Sequence, residues 1–567
     1  MGLMGALATA SRSLEVFTAG ISVAGQNISN ANTPGYIREE LLLDPAHPYQ
    51  SGQLVVGTGV VATGIVQQID RFLETRIHTA NSDFTASAAK NAIYKQLEEE
   101  IRELGDGDLS TGLNDFLAAI QNLSTQPESL AFRQLAVGQG TQFAGQVAAL
   151  RSSIDELRQT QTIKVDDLVA EANELIDKIA DLNPKISKLE ASGLYNSDAG
   201  ALRSQRYTAM NRLSEIIPTR FVERKDGAVD IFSGSDYVIL TGQVQHLEVK
   251  SSYDRGVQVG DVQLSITQSP IAASGGGELA GVIEGRDTIL GGFVDDLDTY
   301  VSNMIFEFNK IHASGQGLVG FTTATSDVRI TDATAALNTA ASGLKFTPTH
   351  GSFQLQVTNT LSDATVTTGI PIDLDGIGTD TTLNSLQAAL DAVANVSASI
   401  TTDGRLQITA DSNFEISFSD DTSGALAALG INTFFTGSDS GDIGVNAVVQ
   451  NDHRFFAVSN GGGPSDGSNA VEMLDFINKP LAVLGSDNLD RFYDVIVNSV
   501  SQQSASEEAI AEGLSAFRDS LNNQRAQYSG VSLDEEAVQV LEFQRSFQAA
   551  ARLVSTIDEL FTILLTM

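Results

Sequence analysis

The chain has no cysteine, which excludes disulfides, thiolate nucleophiles and cysteine zinc sites. Histidine is sparse. His47, His78, His246, His312, His350 and His453 are the six present, and no two share the local spacing of a His-x₃-His metal pair. Each therefore reads as a surface or structural histidine, and no metal or other cofactor is expected. Basic residues are few, with 34 against 71 acidic ones and a formal net charge of −37. Such a surface repels nucleic acid and anionic lipid, so neither nucleic acid nor membrane is expected as a partner. The same charge keeps a self-associating chain soluble. Long apolar runs are missing too. No stretch approaches the roughly 18 uncharged apolar residues of a bilayer span. A cleaved secretory signal is not expected, because Arg12 and Glu15 interrupt the apolar positions near the N-terminus.

What is present begins with length. A chain of 567 residues is too long for one core and suggests about three or four domains. From Leu3 the apolar positions run Leu3, Leu7, Ala10, Leu14, Phe17, Ile21, Ala24 and Ile28. Steps that alternate four and three make a heptad seam. The rest of this helix is small and nearly neutral, with Arg12 and Glu15 as its charges, so its second face is expected to pack closely as well. The helix must end by Thr33, because Pro34 pushes the preceding residue out of the α region and Gly35 can take positive φ.

The C-terminus mirrors this pattern. Val540, Phe543, Phe547, Ala550, Val554, Ile557, Phe561 and Leu564 form a second seam. Ser532 is a candidate N-cap with Glu535 as its capping-box partner. Asp534, Glu535 and Glu536 fill the first turn, where the helix dipole favours negative charge. Two seams of similar length can satisfy each other as an antiparallel pair.

Residues 85–215 read as helical, with a stutter or loop expected at Gln161 and Lys164 and a bend at Pro184. A further helical pattern covers roughly 286–312. Residues 219–268 alternate in period two and predict β-hairpins. Residues 350–435 combine strands near Phe353–Val357 and Leu406–Thr409 with a helix over Leu383–Val393.

The chemical motifs are weak. Gly463-Pro464-Ser465-Asp466-Gly467 spells G-x-S-x-G, but it lies in a loop and lacks the strand and helix that a nucleophile elbow requires. Asp373, Asp375, Gly376 and Asp380 resemble a calcium loop without its spacing or closing Glu, and read as a solvated turn. No catalytic, cofactor-binding or metal site is expected. A surface serine hydrolase remains the least favoured alternative.

The terminal motifs carry a resemblance. Asn27-Ile28-Ser29-Asn30-Ala31-Asn32-Thr33-Pro34-Gly35-Tyr36 resembles the signature shared by bacterial flagellar rod, hook and hook-associated proteins. The run from Ser532 through Glu536, with Leu541, Phe543-Gln544, Ala549, Ala551 and Leu560-Phe561, narrows it to the hook-associated proteins of the hook–filament junction. Phe308-Asn309-Lys310-Ile311-His312 and Leu429 through Gly437 match as well. A rod or hook subunit of the same axis is the alternative.

This resemblance implies an α+β multidomain fold, elongated and flagellin-like, with coiled-coil-type terminal helices paired and β-rich middle domains looped outward. The expected division is 1–36 with 532–567 as the paired termini, 37–215 with 279–325 and 455–531 as a helical rod domain, 216–278 with 326–344 as a β-rich middle domain, and 345–454 as an outer inserted α/β domain. The expected assembly interface comprises Leu3, Leu7, Leu14, Phe17, Ile21, Ile28, Asn32, Pro34, Gly35 and Tyr36. Its C-terminal half is Asp534, Glu535, Glu536, Phe543, Gln544, Phe547, Val554, Ile557, Phe561 and Leu564. The implied partners are a ring of identical subunits, the hook protein on the proximal side, a second hook-associated junction protein on the distal side, and an export chaperone on the C-terminal helix. The implied location is extracellular, on the flagellum, after export by the flagellar type III apparatus. The terminal helices are expected to be marginal in the free chain and to order on assembly.

Overall fold

The computed structural model describes residues 2–51, 53–103, 108–191, 197–271 and 275–566. The chain opens with α1 (Leu3–Asn30), then a ribbon of β1 (Glu39–Pro45), β2 (Tyr49–Ser51), β3 (Leu54–Val56) and β4 (Val60–Gln67). Helices α2 (Arg71–Glu103), α3 (Leu109–Thr125), α4 (Leu130–Ala191) and α5 (Gly200–Ile216) follow. A β segment comes next: β5 (Arg220–Glu223), β6 (Val229–Ser233), β7 (Asp236–Leu240), β8 (Gln243–Val244), β9 (Leu247–Asp254) and β10 (Val257–Leu264). Helix α6 (Gly277–Glu284) leads through a π-helical turn, Gly285–Leu290, into α7 (Gly291–Ala313).

The second half has β11 (Thr323–Thr325), β12 (Gly351–Asn359), β13 (Thr365–Ile372), α8 (Leu383–Asp391), β14 (Val396–Ile400), β15 (Leu406–Ala410) and β16 (Phe414–Ser419). It continues with α9 (Ala425–Leu429), β17 (Phe435–Thr436), β18 (Gly444–Val445), α10 (Ala447–Asn451) and α11 (Ser468–Asp475). Two long helices, α12 (Leu489–Ser529) and α13 (Leu533–Thr566), close the chain.

These elements form two compact units. The first comprises residues 1–93, 159–288 and 504–567. In it β1 pairs antiparallel with β4, Glu39 opposite Gln67, with a bulge at Leu42/Leu43. Strands β5-β6-β7-β8 form an antiparallel meander, and β9 pairs with β10. Its core joins Val165, Val169 and Ile176 of α4 to Leu213 of α5 and to Ile231, Val238 and Val262 of the β segment.

The second unit comprises residues 94–158 and 289–503. Two three-stranded antiparallel sheets, β11-β15-β14 and β13-β12-β16, enclose Phe353, Leu355, Leu386, Ile408 and Phe418. Helix α8 is set by a capping box at Thr382 and Ser385. The expected strands at Phe353–Val357 and Leu406–Thr409 lie within β12 and β15, and the expected helix corresponds to α8.

The loop expected at Gln161 and Lys164 is a correction. Helix α4 runs unbroken for 62 residues, through Gln161, Lys164 and Pro184. Lys164 is held by Glu278 at 2.9 Å, so its charge is no obstacle to packing. Pro184 lies on an exposed side of α4, where the backbone carbonyl it leaves without an N–H partner can be hydrated.

Candidate functional site at the paired termini

Helices α1 and α13 lie antiparallel. Asn27 meets Glu536, and one heptad back Gly20 meets Phe543: a Cβ at Gly20 would lie 2.7 Å from the Phe543 ring. Only a glycine allows the ring to sit so close to the α1 backbone. The buried line of α1 runs Val16, Gly20, Val23 and Asn27, with Ala10 and Ala24 beside it. Leu3, Leu7, Leu14, Phe17 and Ile21 are half-buried, and Ile28 is exposed. The nearly neutral second face therefore packs, as its composition predicts. Of the seam positions Ala10 and Ala24 are buried, and the larger ones occupy the margin of the packed face.

The centre of the pair is polar. Asn27 is 1% exposed and makes four hydrogen bonds. Its Nδ2 donates to the Glu39 carbonyl at 2.8 Å and to Glu536 Oε2 at 3.0 Å. Its Oδ1 accepts from the Tyr36 hydroxyl at 2.9 Å and from Glu39 N at 3.0 Å. Glu536 is fully buried, and Arg38 Nε reaches its other oxygen at 2.7 Å. A buried carboxylate is tolerable only with such partners. Burial, with Glu39 and Glu536 nearby, pushes the Tyr36 phenol up, so it stays a proton donor. Burial also raises the Glu39 carboxyl, with Asp198 adding to the effect.

The turn delivers Tyr36 to this cluster. Gly35 has φ +75°, and a Cβ there would lie 2.2 Å from Thr208 Oγ1, so no other residue fits without displacement. Asn32 and Pro34 are exposed and shape the turn without entering the cluster. At the other end Asp534 and Glu535 are exposed. Ser532 stands at the N-cap position, its hydroxyl 3.5 Å from Glu535 N. The Glu535 carboxylate does not complete the capping box; it turns to Arg38 at 3.4 Å.

Along α13 the fully buried residues are Glu536, Ala550 and Ile557. Phe543, Val554 and Phe561 are half-buried, whereas Gln544, Phe547 and Leu564 are exposed. Leu541, Leu553, Leu560, Ile563 and Leu565 are exposed as well. Sequence reasoning missed Arg38 and Glu39 and quoted Asn27 only within the motif. The available signal was a polar residue one heptad from Gly20 on the packing face of an otherwise apolar helix.

In the first unit, a groove of about 350 Å³ between α1 and the β1–β4 ribbon is lined by Val16, Ala19, Leu41, Val60 and Ile65, with Arg12 and Glu15 at its side. In the second unit the two interior motifs close on one another. Asn309 donates to the Phe435 carbonyl at 2.9 Å and accepts from Phe434 N and Phe435 N. His312 Nδ1 lies 2.8 Å from the Asn432 carbonyl, and its Nε2 accepts from Ala457 N at 3.1 Å. That pattern fixes the neutral tautomer with hydrogen on Nδ1, and burial pushes its pKa down to about 4. Phe116, Phe308, Phe434 and Phe435 pack as an aromatic cluster around it.

The G-x-S-x-G spelling is a turn before α11, organised by Asp466. Its carboxylate accepts from Ser459 Oγ, Asn460 N and Gly462 N. Against the effect of burial, these bonds and those from Ser468 hold it well below the usual carboxylate range. No helix among the described residues is long and apolar enough to cross a membrane.

Comparison with known proteins adds to this geometry. Residues 94–326 match the family described as flagellar hook-associated protein FlgK helical domain. Residues 523–567 match the C-terminal family of flagellar basal body rod FlgEFG proteins. Flagellar hook-associated protein 1 of Escherichia coli K12 is 23% identical over 562 residues, covering 97% of each chain. Its namesake from Salmonella typhimurium is 21% identical, over 97% of this chain and 98% of its own. The solved flagellar hook junction protein FlgK of Burkholderia pseudomallei shares the fold, with a TM-score of 0.50 at 16% identity, over 80% of this chain and all of its own. The similarity to flagellar hook-associated protein 1 runs through both terminal helices and the helical domain between them.

Proposed function

We propose that the chain is a structural subunit of the bacterial flagellum that forms the junction between hook and filament and assembles axially through α1 and α13. The observation that carries this reading is the unfinished surface of α13. Leu541, Leu553, Leu560, Ile563, Leu564 and Leu565 are each 45% exposed or more on a helix already paired along its other side. Apolar exposure of this extent on a strongly acidic chain is surface that neighbouring subunits cover.

The partners are further copies of the chain in a ring, the hook protein on the proximal side and a second hook-associated protein on the distal side. Before assembly an export chaperone holds α13, and the chain reaches the cell exterior through the flagellar type III apparatus. These assignments rest on the family resemblance, as does the absence of a catalytic step. The four-part division into paired termini, helical rod domain, middle domain and inserted 345–454 domain belongs to the same proposal.

Deletion of the gene tests it. The expected result is hooks without filaments and flagellin released into the medium; normally attached filaments would refute it. The alternative of a rod or hook subunit draws support from the match at 523–567, which α13 shares with rod proteins. The helical domain at 94–326 favours the junction instead. Labelled protein distributed along the whole hook would decide for the alternative.

A further inference from the structure

We infer that the outer edge of β13 is a self-pairing surface, through which two copies of the chain join β13 to β13 antiparallel. In the sheet β13-β12-β16, β13 stands at one edge. Asn359 N donates to the Ala364 carbonyl at 2.9 Å, and the β12–β13 register continues in step from that pair. Antiparallel pairs alternate between bonded and non-bonded, so Val366, Thr368 and Ile370 direct their backbone groups at β12. Thr365, Thr367, Gly369 and Pro371 turn theirs outward. Pro371 fits that alternation, because at this position its missing N–H takes nothing from the β12 ladder. The outward groups of Thr365, Thr367 and Gly369 meet no backbone partner among the described residues. The space beside them is open: a Cβ at Gly369 would meet nothing within 4 Å.

The other edges of the two three-stranded sheets are closed or short. On β16, Ile416 exchanges two backbone bonds of 2.8 Å with Phe321. On β14, Ala398 N donates to Asp391 Oδ1 at 2.9 Å, and the Ala398 carbonyl accepts from Gln387 Nε2 at 2.7 Å. Strand β11 is only three residues long. An open edge is a template for another strand, and caps, short strands and charges are the usual means of blunting it. Strand β13 has eight residues, and no charge stands between Ala364 and Ile372.

The occupant that fits is a second β13. A two-fold axis at Thr367 sets Thr367 opposite Thr367 and Thr365 opposite Gly369. Every outward N–H from Thr365 to Gly369 then meets an outward carbonyl of the other copy. Val366, 64% exposed, falls opposite Thr368 and gains cover from it. Pro371, with no N–H, ends the ladder on both sides. Charge favours the same choice, since two chains of net charge −37 can approach where neither carries any. One strand pair falls short of the roughly 1,000 Å² of a stable interface, so the pairing is weak and depends on concentration.

Disulfide trapping in the full chain tests the register, and the absence of native cysteine gives each variant a single thiol. The reaction is run in a glutathione redox buffer at high salt, which screens the repulsion between the chains. Thr367→Cys should dimerise, because facing residues of a bonded pair have Cα atoms about 5.5 Å apart, within disulfide range. In Thr365→Cys the two thiols stand four residues out of step, at least about 13 Å apart. Its dimer yield should be lower by about tenfold or more. Unchanged melting of both variants checks that they fold. Hydrogen exchange gives a second readout: in the parent, a peptide spanning β13 should gain protection as the chain concentration rises. Thr367→Pro removes a central outward N–H while leaving the β12 ladder intact, and should abolish that gain. Equal yields from the two cysteine variants would overturn the inference. So would β13 protection that is independent of concentration, or that still rises with concentration in Thr367→Pro.

Discussion

Replacing Asn27 with alanine should open the paired termini while leaving the second unit intact. The substitution removes four hydrogen bonds at once. It strands the backbone N–H and C=O of Glu39, which is buried, and takes one of the partners of Glu536, which is fully buried. Each stranded buried group costs about 1–3 kcal/mol. Glu536 keeps Arg38 at 2.7 Å and Tyr36 is only partly buried, so the total lies near about 3–5 kcal/mol. At about 1.4 kcal/mol per factor of ten, local opening becomes about a hundredfold or more frequent. Hydrogen exchange read by mass spectrometry reports this directly, in peptides from the end of α1, the Tyr36–Glu39 segment and the start of α13. Peptides around Asn309 and Phe434 in the second unit should exchange as in the parent. Exchange at the clasp within about threefold of the parent, or a parent already unprotected there, would refute the reasoning.

Other perturbations separate the buried side of α13 from its open side. Ile557 is 3% exposed, so Ile557→Asp should lower the stability of the terminal pair by several kcal/mol, read as a shifted melting transition. Phe547 is 37% exposed, and Phe547→Asp should leave that transition within about 1 kcal/mol of the parent while abolishing polymerisation in a sedimentation assay. Gly20→Val places a side chain where the Phe543 ring stands and should break the pairing; Phe543→Ala in the same chain should restore part of the lost stability. His312 should titrate near pH 4 by NMR of its ring protons. Its folded pKa is below the ordinary value of about 6.5, so the unfolded state binds the extra proton first. Stability attributable to His312 is therefore present above about 6.5 and lost as the pH falls towards 4.

The large elements were legible because their signals are local. The heptad spacing and Pro34 define α1, and the change to period two marks the strands of 219–268. The centre of the α1 packing face was not legible from hydropathy. Seam spacing favours Leu14, Phe17 and Ile21, yet the buried line passes through Gly20 and Asn27. Glycine contributes closeness rather than apolar area, and an asparagine on a packing face scores as a defect until its partners are known. Those partners, Glu39 and Glu536, lie 12 and 509 positions away. The uninterrupted course of α4 was hidden for the same reason, since the charge on Lys164 is answered by Glu278, a residue no local window contains.

The two stations of the terminal pair explain why a polar cluster sits in an apolar seam. A heptad seam is degenerate, because sliding one helix by seven residues again matches apolar with apolar. Here Gly20 meets Phe543 and Asn27 meets Glu536, one heptad apart on both helices. A slip in one direction sets Glu536 against Gly20, with no donor for a buried carboxylate, and Phe543 against Ser13. A slip in the other sets the Phe543 ring against Asn27, whose amide then loses Glu536 and keeps only the Glu39 carbonyl, and carries Glu536 past the end of α1. The first error leaves a buried charge unpaired, at a cost of several kcal/mol, and the second gives up the Asn27–Glu536 bond and sets an aromatic ring against an amide. The clasp thus selects one register from several that the seam alone would allow. Under the proposed assembly, in which every neighbour meets the same face of α13, that selection matters more than the strength of the pair.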